Sequence, residues 1–363
     1  MGRKRSGYSS YRGRKTLNDL LKGIAVVLAV LVVLLLAGLF LGQDYLVFTD
    51  RGLRWNLPFG QEKSTNISSP GTVDVEIRPS EDEAKAAEEE NALVSEGEHM
   101  AALELPVSCL ADGSAQQQLE QAGANALILE MKNPEGMLSW SSEQNYARAA
   151  GVNAKTEGIN GLFTTWNQGE VYTIARVCCF RDNTLPYQRN DVALRATYGN
   201  WRDELGLRWL DPGNETAQSY VAQLCEELAQ MGFDELVLEA CYFPWQGNLD
   251  AIEKKDQYTE EVQAERMEEF LNQVRSCVEP YGTKVSVLVS QEMLVDGAQT
   301  GGLTGQVLER NAQRIWMETD QPQQAIATLE NVGLTNASER FVPVVQLFGE
   351  ESPREQAVFI KEN

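Results

Sequence analysis

The alternation of short apolar runs with amphipathic helices after Met100 constrains the fold of this chain more than any other feature. Such alternation is typical of parallel βα units. In the clearest unit, a helix predicted over Asn214–Met231 precedes a strand predicted over Glu235–Ala240. This strand is apolar enough to be covered on both faces, and it has a carboxylate, Glu239, where it ends. We therefore predict an α/β fold, a (β/α)8 TIM-type barrel whose strands open onto a working face.

The predicted strands and helices alternate along most of the region from residue 99 to residue 363. Strands are predicted over Ala101–Val107, Ala126–Met131, Val171–Cys179, Glu235–Ala240, Lys284–Val289, Arg314–Met317 and Phe341–Leu347. Helices are predicted over Ser114–Ala122, Ser142–Ala150, Asn214–Met231, Glu260–Val278 and Gln321–Val332. An eighth strand, Ala357–Ile360, is short and close to the last residue, so the pattern leaves open whether the barrel is complete at its C-terminal side.

The sequence has a single histidine, His99, which lies in a polar and acidic stretch. Its setting excludes Ser-His-Asp and Cys-His catalysis and His-based zinc sites. The six cysteines show no CxxC spacing, and most of them are predicted to be small buried residues. We find no nucleotide-binding loop, metal-ligand motif or basic nucleic-acid surface. The prediction is therefore no cofactor, no metal and no nucleic-acid partner, with chemistry that uses carboxylates, Lys, Tyr or Cys.

An uncharged apolar run, Gly23–Gly42, has the length of a transmembrane helix. Residues 1–22 carry seven basic side chains and one Asp, a balance of +6, which leaves −28 of the total charge of −22 for the rest of the chain. The positive-inside rule then predicts a cytoplasmic tail, residues 1–22, and an extracytoplasmic C-terminal domain at the cell membrane. A cleaved signal peptide is the alternative, but the apolar run is long and no Ala-x-Ala site follows it.

Two segments separate the apolar run from the predicted barrel. Residues 43–79 contain a hairpin pattern over Tyr45–Pro58 and a short strand pattern at Val73–Ile77, so they are predicted to form a juxtamembrane spacer or an oligomer contact. Residues 80–98 contain eight carboxylates against one Lys and are predicted to be an acidic linker or a loose helix.

Carboxylates stand at or just after the ends of several predicted strands, and in a barrel these ends converge on one mouth. They are Glu130, Asp182, Glu239, Glu292 and Glu318, and a further carboxylate, Glu104, lies within the first predicted strand. Two carboxylates that face a sugar can divide the work of glycoside hydrolysis between an acid and a base or nucleophile. Lys132 follows Glu130 closely and would keep it ionised, so we predict Glu130 as base or nucleophile and Glu239 as acid, with the reverse assignment open. The other interpretations are that Glu239 only pairs with a neighbouring Lys or Arg, and that some carboxylates of an acidic chain fall at strand ends by chance.

Aromatic residues cluster in the same predicted loops, where they can stack on sugar rings or pack the loops. They are Trp140, Trp201, Trp209, Tyr242, Phe243 and Trp245.

Several short motifs resemble a known family. They are Ile174–Val177, Phe180–Asp182, Trp201–Asp203, Gly206–Asn214, Gly232–Leu236 and Phe243–Pro244. Their order and spacing are similar to those of the putative glycoside hydrolase domain of bacterial envelope proteins, also classed as a domain of unknown function. The resemblance covers about Met100 to Leu347 and implies a TIM-type barrel with glycosidase activity on polysaccharide. That activity rests on analogy of fold.

The chain departs from the family pattern after the fourth strand, where Asp-Tyr-x-Arg-Phe-Pro becomes Glu-Ala-Cys-Tyr-Phe-Pro from Glu239. The catalytic candidates are Glu239 and Glu130. The substrate-binding candidates are Lys132, Arg176, Asp182, Trp201, Trp209, Asp211, Tyr242 and Gln346. The predicted function is a membrane-anchored, extracytoplasmic glycoside hydrolase acting on envelope or extracellular polysaccharide. A catalytically inactive barrel that binds glycan or a protein partner is the alternative.

Overall fold

The computed structural model describes residues 46–49, 52–55, 99–253, 258–349 and 355–360. By its internal contacts the chain divides into two units, residues 1–83 and 84–363. In the first unit, β1 (Leu46–Thr49) and β2 (Gly52–Trp55) form the predicted antiparallel hairpin. The predicted transmembrane helix, the strand at Val73–Ile77 and the acidic linker lie outside the described residues. Of the helices that the structure describes, none combines the length and the apolar character needed to cross a membrane.

Eight parallel strands of the second unit close into a barrel, which confirms the predicted fold class. In chain order they are β3 (Met100–Glu104), β4 (Ala126–Lys132), β5 (Tyr172–Cys178), β8 (Glu235–Glu239), β9 (Lys284–Leu288), β10 (Ile315–Glu318), β11 (Phe341–Val345) and β12 (Glu355–Val358). Two short strands in the loop after β5, β6 (Arg195–Ala196) and β7 (Gly199–Asn200), pair antiparallel. Neighbours in the barrel are also neighbours in this order, as in a TIM barrel.

Helices connect most of these strands. They are α1 (Ser108–Ala111), α2 (Ala115–Ala122), α3 (Asn145–Ala150), α4 (Ile159–Trp166), α5 (Leu185–Gln188), α6 (Glu215–Gln230), α7 (Glu260–Val278), α8 (Ala298–Gly301), α9 (Gly305–Asn311), α10 (Pro322–Asn331) and α11 (Ala337–Arg340). Short 3₁₀ turns span Leu249–Ala251 and Glu279–Tyr281, and a π-helical turn spans Met293–Gly297. All five predicted helices form, with α7 at its predicted bounds, whereas α4 and α9 were not predicted.

Two apolar layers hold the barrel together. Alternate strand residues such as Ala102, Ile128, Ile174, Val237 and Trp316 fill its interior. The residues between them face outward and pack against the helices in a larger cluster. This division follows from the two-residue period of a strand, which also determines which polar residues point into the barrel.

The last strand, β12, completes the barrel, so the closure that the sequence left open does occur. It pairs with β11 through Val344 and Ala357 and with β3 through Ala357 and Ala102. At the amino end of the barrel, Arg314 lies 2.6 Å from both Glu235 and Glu355. Arg314, which directly precedes β10, thus ties β8 and β12 together across the amino end of the barrel.

Candidate active site at the barrel mouth

One arginine organises the carboxyl ends of the first strands. Arg176 of β5 donates from Nε to Glu104 Oε1 at 2.9 Å, from Nη1 to Glu239 Oε2 at 2.8 Å and from Nη2 to Glu130 Oε1 at 2.9 Å. The three carboxylates come from β3, β8 and β4, respectively. A planar guanidinium with five N–H donors is suited to hold several carboxylates in a defined arrangement.

Strand register explains why these four side chains meet. Glu130 and Arg176 are direct partners in the β4–β5 pair, and Glu239 pairs with Cys178, two residues beyond Arg176. Each of the four residues lies two positions after an interior apolar residue of its own strand: Ala102, Ile128, Ile174 and Val237. They therefore point into the barrel, one layer above the apolar filling.

Charge at this cluster favours an ionised arginine. Burial alone would lower the pKa of Arg176, but the negative charges of Glu239, Glu104 and Glu130 outweigh burial and raise it well above its ordinary value. The three carboxylates differ in solvent exposure. The Glu104 side chain is only 3% exposed, whereas those of Glu130 and Glu239 are 31% and 22% exposed. Glu104 is therefore a buried anchor for the arginine, and Glu130 and Glu239 are accessible to a ligand.

Glu130, Glu239 and Arg176 line a cavity of about 610 Å³ at the barrel mouth, together with Glu318 and Gln346. Because Glu130 and Glu239 accept from the two terminal nitrogens of one guanidinium, their bonded oxygens cannot be more than about 8 Å apart. That limit covers the carboxyl spacing of retaining glycosidases, about 5–5.5 Å, and part of the inverting range, about 6.5–9.5 Å.

The segment after β12 forms one wall of this mouth cavity. The Phe359 ring lies 5.1 Å from the Arg176 guanidinium and stacks on the interior Trp316 ring, with 6.3 Å between the ring centroids. The backbone N–H of Ile360 donates to Glu104 Oε2 at 2.8 Å. The strand that closes the barrel therefore also completes the site.

Comparison with known families decides the identity of the domain. Residues 114–316, more than half of the chain, match the family described as "Putative glycosyl hydrolase domain". The chain belongs to this family. The match includes Glu130, Arg176 and Glu239, and the resemblance seen in the sequence is confirmed.

The solved structures that match this glycosyl hydrolase domain are mostly distant from it in sequence. A hypothetical protein from Ruminiclostridium thermocellum is 24% identical over 51% of this chain and 96% of its own, with a TM-score of 0.41. The PgaB (BpsB) glycoside hydrolase domain from Bordetella bronchiseptica is 12% identical over 69% and 84%, with a TM-score of 0.48. A GH20 exo-β-N-acetylglucosaminidase from Vibrio harveyi is 10% identical over 68% and 41%, with a TM-score of 0.48. A search of curated proteins found no match.

The expected position of Lys132 beside Glu130 is corrected by the structure of this glycosyl hydrolase domain. Lys132 is buried and lies 3.0 Å from Asp182, whose other oxygen accepts from the backbone of Thr184 and Leu185. The register between β4 and β5 shifts between Glu130 and Lys132, so the two side chains do not follow the regular alternation. Arg176 is therefore the cation that contacts Glu130, and the buried pair of Lys132 and Asp182 fixes the loop after β5.

Several aromatic candidates pack the loops instead of facing solvent at the mouth. Trp140 is fully buried and donates to Glu227 Oε2 at 2.8 Å, and Phe243 is 2% exposed. Trp201 and Trp209 are each 2% exposed, and their indole N–H groups bond Asn248 and Asp203. The loop-packing interpretation therefore holds for these four rings.

The remaining candidates divide between the loops and the mouth. Asp211 is 2% exposed and accepts from the Tyr258 hydroxyl at 2.8 Å, which places it in loop packing. Tyr242 is half-buried and lines a smaller cavity next to the mouth, whereas Gln346 lines the mouth itself. Burial is the main reason that the pKa of Tyr242 is raised well above its ordinary value, so its hydroxyl stays protonated at neutral pH.

Two contributions to the site were not predicted from the sequence. Glu104 was noted only as a carboxylate within the first predicted strand, and the wall formed by Phe359 and Ile360 was not predicted. The strand period could have placed Glu104, since it stands two residues after Ala102. Nothing local in the sequence indicates that Ile360 contacts Glu104, because 256 residues separate them.

Proposed function

We propose that this domain hydrolyses glycosidic bonds of an envelope or extracellular polysaccharide by carboxylate acid/base chemistry. The observation that supports this most directly is the placement of Glu130 and Glu239, both partly exposed, on one guanidinium within the mouth cavity. Two carboxylates that line one cavity and lie no more than about 8 Å apart are compatible with the carboxyl spacing that glycosidases use.

In this proposal Glu239, the less exposed of the two, is the general acid that protonates the leaving glycosidic oxygen. Glu130 attacks the anomeric carbon or activates the water that does so. Arg176 is a positioning residue, because it holds both carboxylates and is itself held by the buried Glu104. For Glu239 to act as acid it must take up a proton, and approach of the sugar between Glu239 and Arg176 would loosen their ion pair.

The proposed location is extracytoplasmic, with residues 23–42 as an uncleaved membrane anchor and residues 1–22 in the cytoplasm. Support comes from the length of the apolar run and from the basic residues before it. The acidic remainder of the chain would then face the cell envelope or the medium, where polysaccharide is found.

The test uses the full-length chain, purified in detergent and incubated with cell-wall and exopolysaccharide fractions, with new reducing ends as the readout. We expect release by the parent and a loss of about 10²–10⁴-fold in both Glu239→Gln and Glu130→Gln. Glu143→Gln is the control, because the Glu143 side chain is 82% exposed and pairs only with Arg148 among the ion pairs described.

The alternative function is glycan binding without cleavage. It is favoured by one observation: Glu130 and Glu239 are both engaged by Arg176, so the cluster has a structural use that needs no reaction. Saturable glycan binding that survives both Gln substitutions, with no new reducing ends from any fraction, would establish this alternative and sink the hydrolase proposal.

A further inference from the structure

A second cavity, of about 270 Å³, adjoins the mouth cavity. Arg181 and Leu205 line both cavities and form the wall between them. Leu205 is 75% exposed, so this wall is low and open to solvent. A chain-like ligand seated on the carboxylates of the mouth would therefore continue into the second cavity.

The far wall of the second cavity is aromatic. Tyr242 and Trp245 are half-buried and line it, so part of each ring faces the cavity. Trp245 is fixed in place, because its ring packs so closely on Gly297 that a Cβ there would lie 2.4 Å from it. Behind Tyr242 the Trp209 ring lies at 5.9 Å between centroids. Fixed, partly exposed rings beside a polar cavity are suited to stack on a sugar ring.

Both cavities carry more negative than positive side chains. The mouth cavity is lined by four carboxylates and two arginines: Glu130, Glu135, Glu239, Glu318, Arg176 and Arg181. In the second cavity, Asp203 is paired with Arg181 at 2.9 Å. Two further carboxylates there, Glu204 and Glu292, are exposed, and Glu292 accepts a hydrogen bond from Gln246 at 3.0 Å. A concave surface lined by one sign of charge concentrates ligands of the opposite sign.

We propose that the two cavities bind consecutive units of a glycan that carries free, protonated amino groups. Building on the proposed function, this names the substrate class of the same site. The amino sugar nearest the wall stacks on Trp245 and Tyr242, and its ammonium group lies against Glu292. Anionic glycans, such as those built from uronic acids, are repelled by the same charges, and neutral or N-acetylated glycans gain the stacking without the charge attraction.

The experiment measures binding of three oligosaccharides of equal length to the full-length chain: a glucosamine oligomer, its N-acetylated form and a glucose oligomer. We expect the glucosamine oligomer to bind at least about tenfold more tightly than the other two at low salt, and this preference to shrink at high salt. Poly-lysine is the competitor that carries charge without sugar rings, and it should compete weakly.

Two substitutions separate charge from stacking. Glu292→Gln should reduce the preference for the glucosamine oligomer and leave the binding of the acetylated form unchanged, whereas Glu292→Asp should retain the preference. Trp245→Ala should weaken the binding of all three oligomers. Glu143→Gln is the matched charge control, because the Glu143 side chain is exposed and lines neither cavity.

The outcomes distinguish this inference from the proposed hydrolysis. Equal affinity for all three oligomers, or equal loss for all three in Glu292→Gln, would overturn the amino-sugar assignment even if reducing ends are released. Poly-lysine that competes as well as the glucosamine oligomer would overturn it too, because charge alone would then explain binding. A glucosamine preference that depends on Glu292, without cleavage of any fraction, would support the assignment while the hydrolase proposal fails.

Discussion

The side chain of Arg176 determines how the carboxylates at the mouth are arranged. Its three contacts join β3, β4 and β8 through one guanidinium, and it is 15% exposed, so the ion cluster is largely removed from water. In such a setting an ion pair contributes geometry more than stability, because desolvation of the charges offsets much of their attraction. Breaking the cluster should therefore affect function and folding by different amounts, depending on what replaces the arginine.

Replacing Arg176 by Lys should keep the positive charge and lose the planar fork. We expect cleavage to fall by about 10²-fold, because the two carboxylates are no longer held from one rigid group. Arg176→Met should also lower the free energy of unfolding by about 3–5 kcal/mol, because the nearly buried Glu104 loses its cation. Reducing-end release and urea unfolding report the two effects.

The matched control for this prediction is Arg189→Lys. Arg189 pairs with Asp191 on the surface, where the two side chains are 44% and 53% exposed. Its substitution should leave both the free energy of unfolding and cleavage essentially unchanged. Full activity in Arg176→Lys would show that Arg176 does not position the carboxylates.

Polar side chains lie at both ends of the apolar interior of the barrel. At the amino end, Glu235 is fully buried and accepts from Ser286, Tyr172, Trp316 and Arg314. At the carboxyl end, the cluster around Arg176 faces the mouth. The same side-chain period places both layers, and the carboxyl end opens into the mouth cavity, as in other barrels of this type.

The polar layers at both ends of the barrel depend on β12, the strand that closes it. Ala357 is fully buried inside the barrel and pairs with both β11 and β3. Ala357→Asp should therefore lower the free energy of unfolding by more than about 3 kcal/mol, because an unpaired charge is buried in the apolar filling. Urea unfolding followed by tryptophan fluorescence measures this cost.

Ala111→Asp makes the same chemical change at an exposed position in α1 and should cost less than about 1 kcal/mol. If Ala357→Asp is tolerated as well as this control, β12 does not contribute to the stability of the barrel. The site would then depend on seven strands only.

The buried thiols make the stability of the whole domain depend on pH in the alkaline range. All six cysteines are free, and burial raises the pKa of Cys178, Cys179, Cys225 and Cys241, to about 12 for Cys241. In the unfolded chain a thiol ionises near pH 8.5, so stability from the neutral buried thiols is complete below that pH and is lost as the pH rises. Each of these thiols therefore lowers the free energy of unfolding by about 1.4 kcal/mol for every pH unit above about 8.5.

We therefore expect urea unfolding in the presence of reductant to show a free energy of unfolding that declines steadily from pH 8.5 to pH 10. Cys225→Ala removes one titrating group, so its slope should be smaller by about 1.4 kcal/mol per pH unit. Stability that does not change over this range would contradict the burial of the thiols.

Attachment to the membrane is a prediction about the chain as a whole. The full-length protein should remain in the membrane fraction after an alkaline carbonate wash, because a run of about 20 apolar residues inserts stably into the bilayer. Replacing two residues of the run, Leu31→Arg and Leu35→Arg, should release the protein into the soluble fraction. Release of the unaltered protein by the wash would rule out a spanning anchor.

Much of the architecture follows from local sequence. The βα period predicts the parallel strands because buried strands need apolar residues on both faces, and Asn214 and Thr259 begin α6 and α7 as N-caps whose side chains accept backbone N–H groups. Glu130 and Glu239 could be chosen from the same pattern, since strand ends meet at one mouth whatever the details of packing.

Tertiary structure decided the partners of these residues. A register shift in β4 directs Lys132 to Asp182, and Arg176 contacts Glu130 instead. Burial of Trp140 against Glu227 and the approach of Ile360 to Glu104 likewise depend on residues far apart in the chain. The sequence alone therefore determined the fold class and which strand ends bear carboxylates, because periodicity and polarity are local properties. Which charges pair, which rings are exposed and where the second cavity lies were decided only by packing, because those contacts join distant segments.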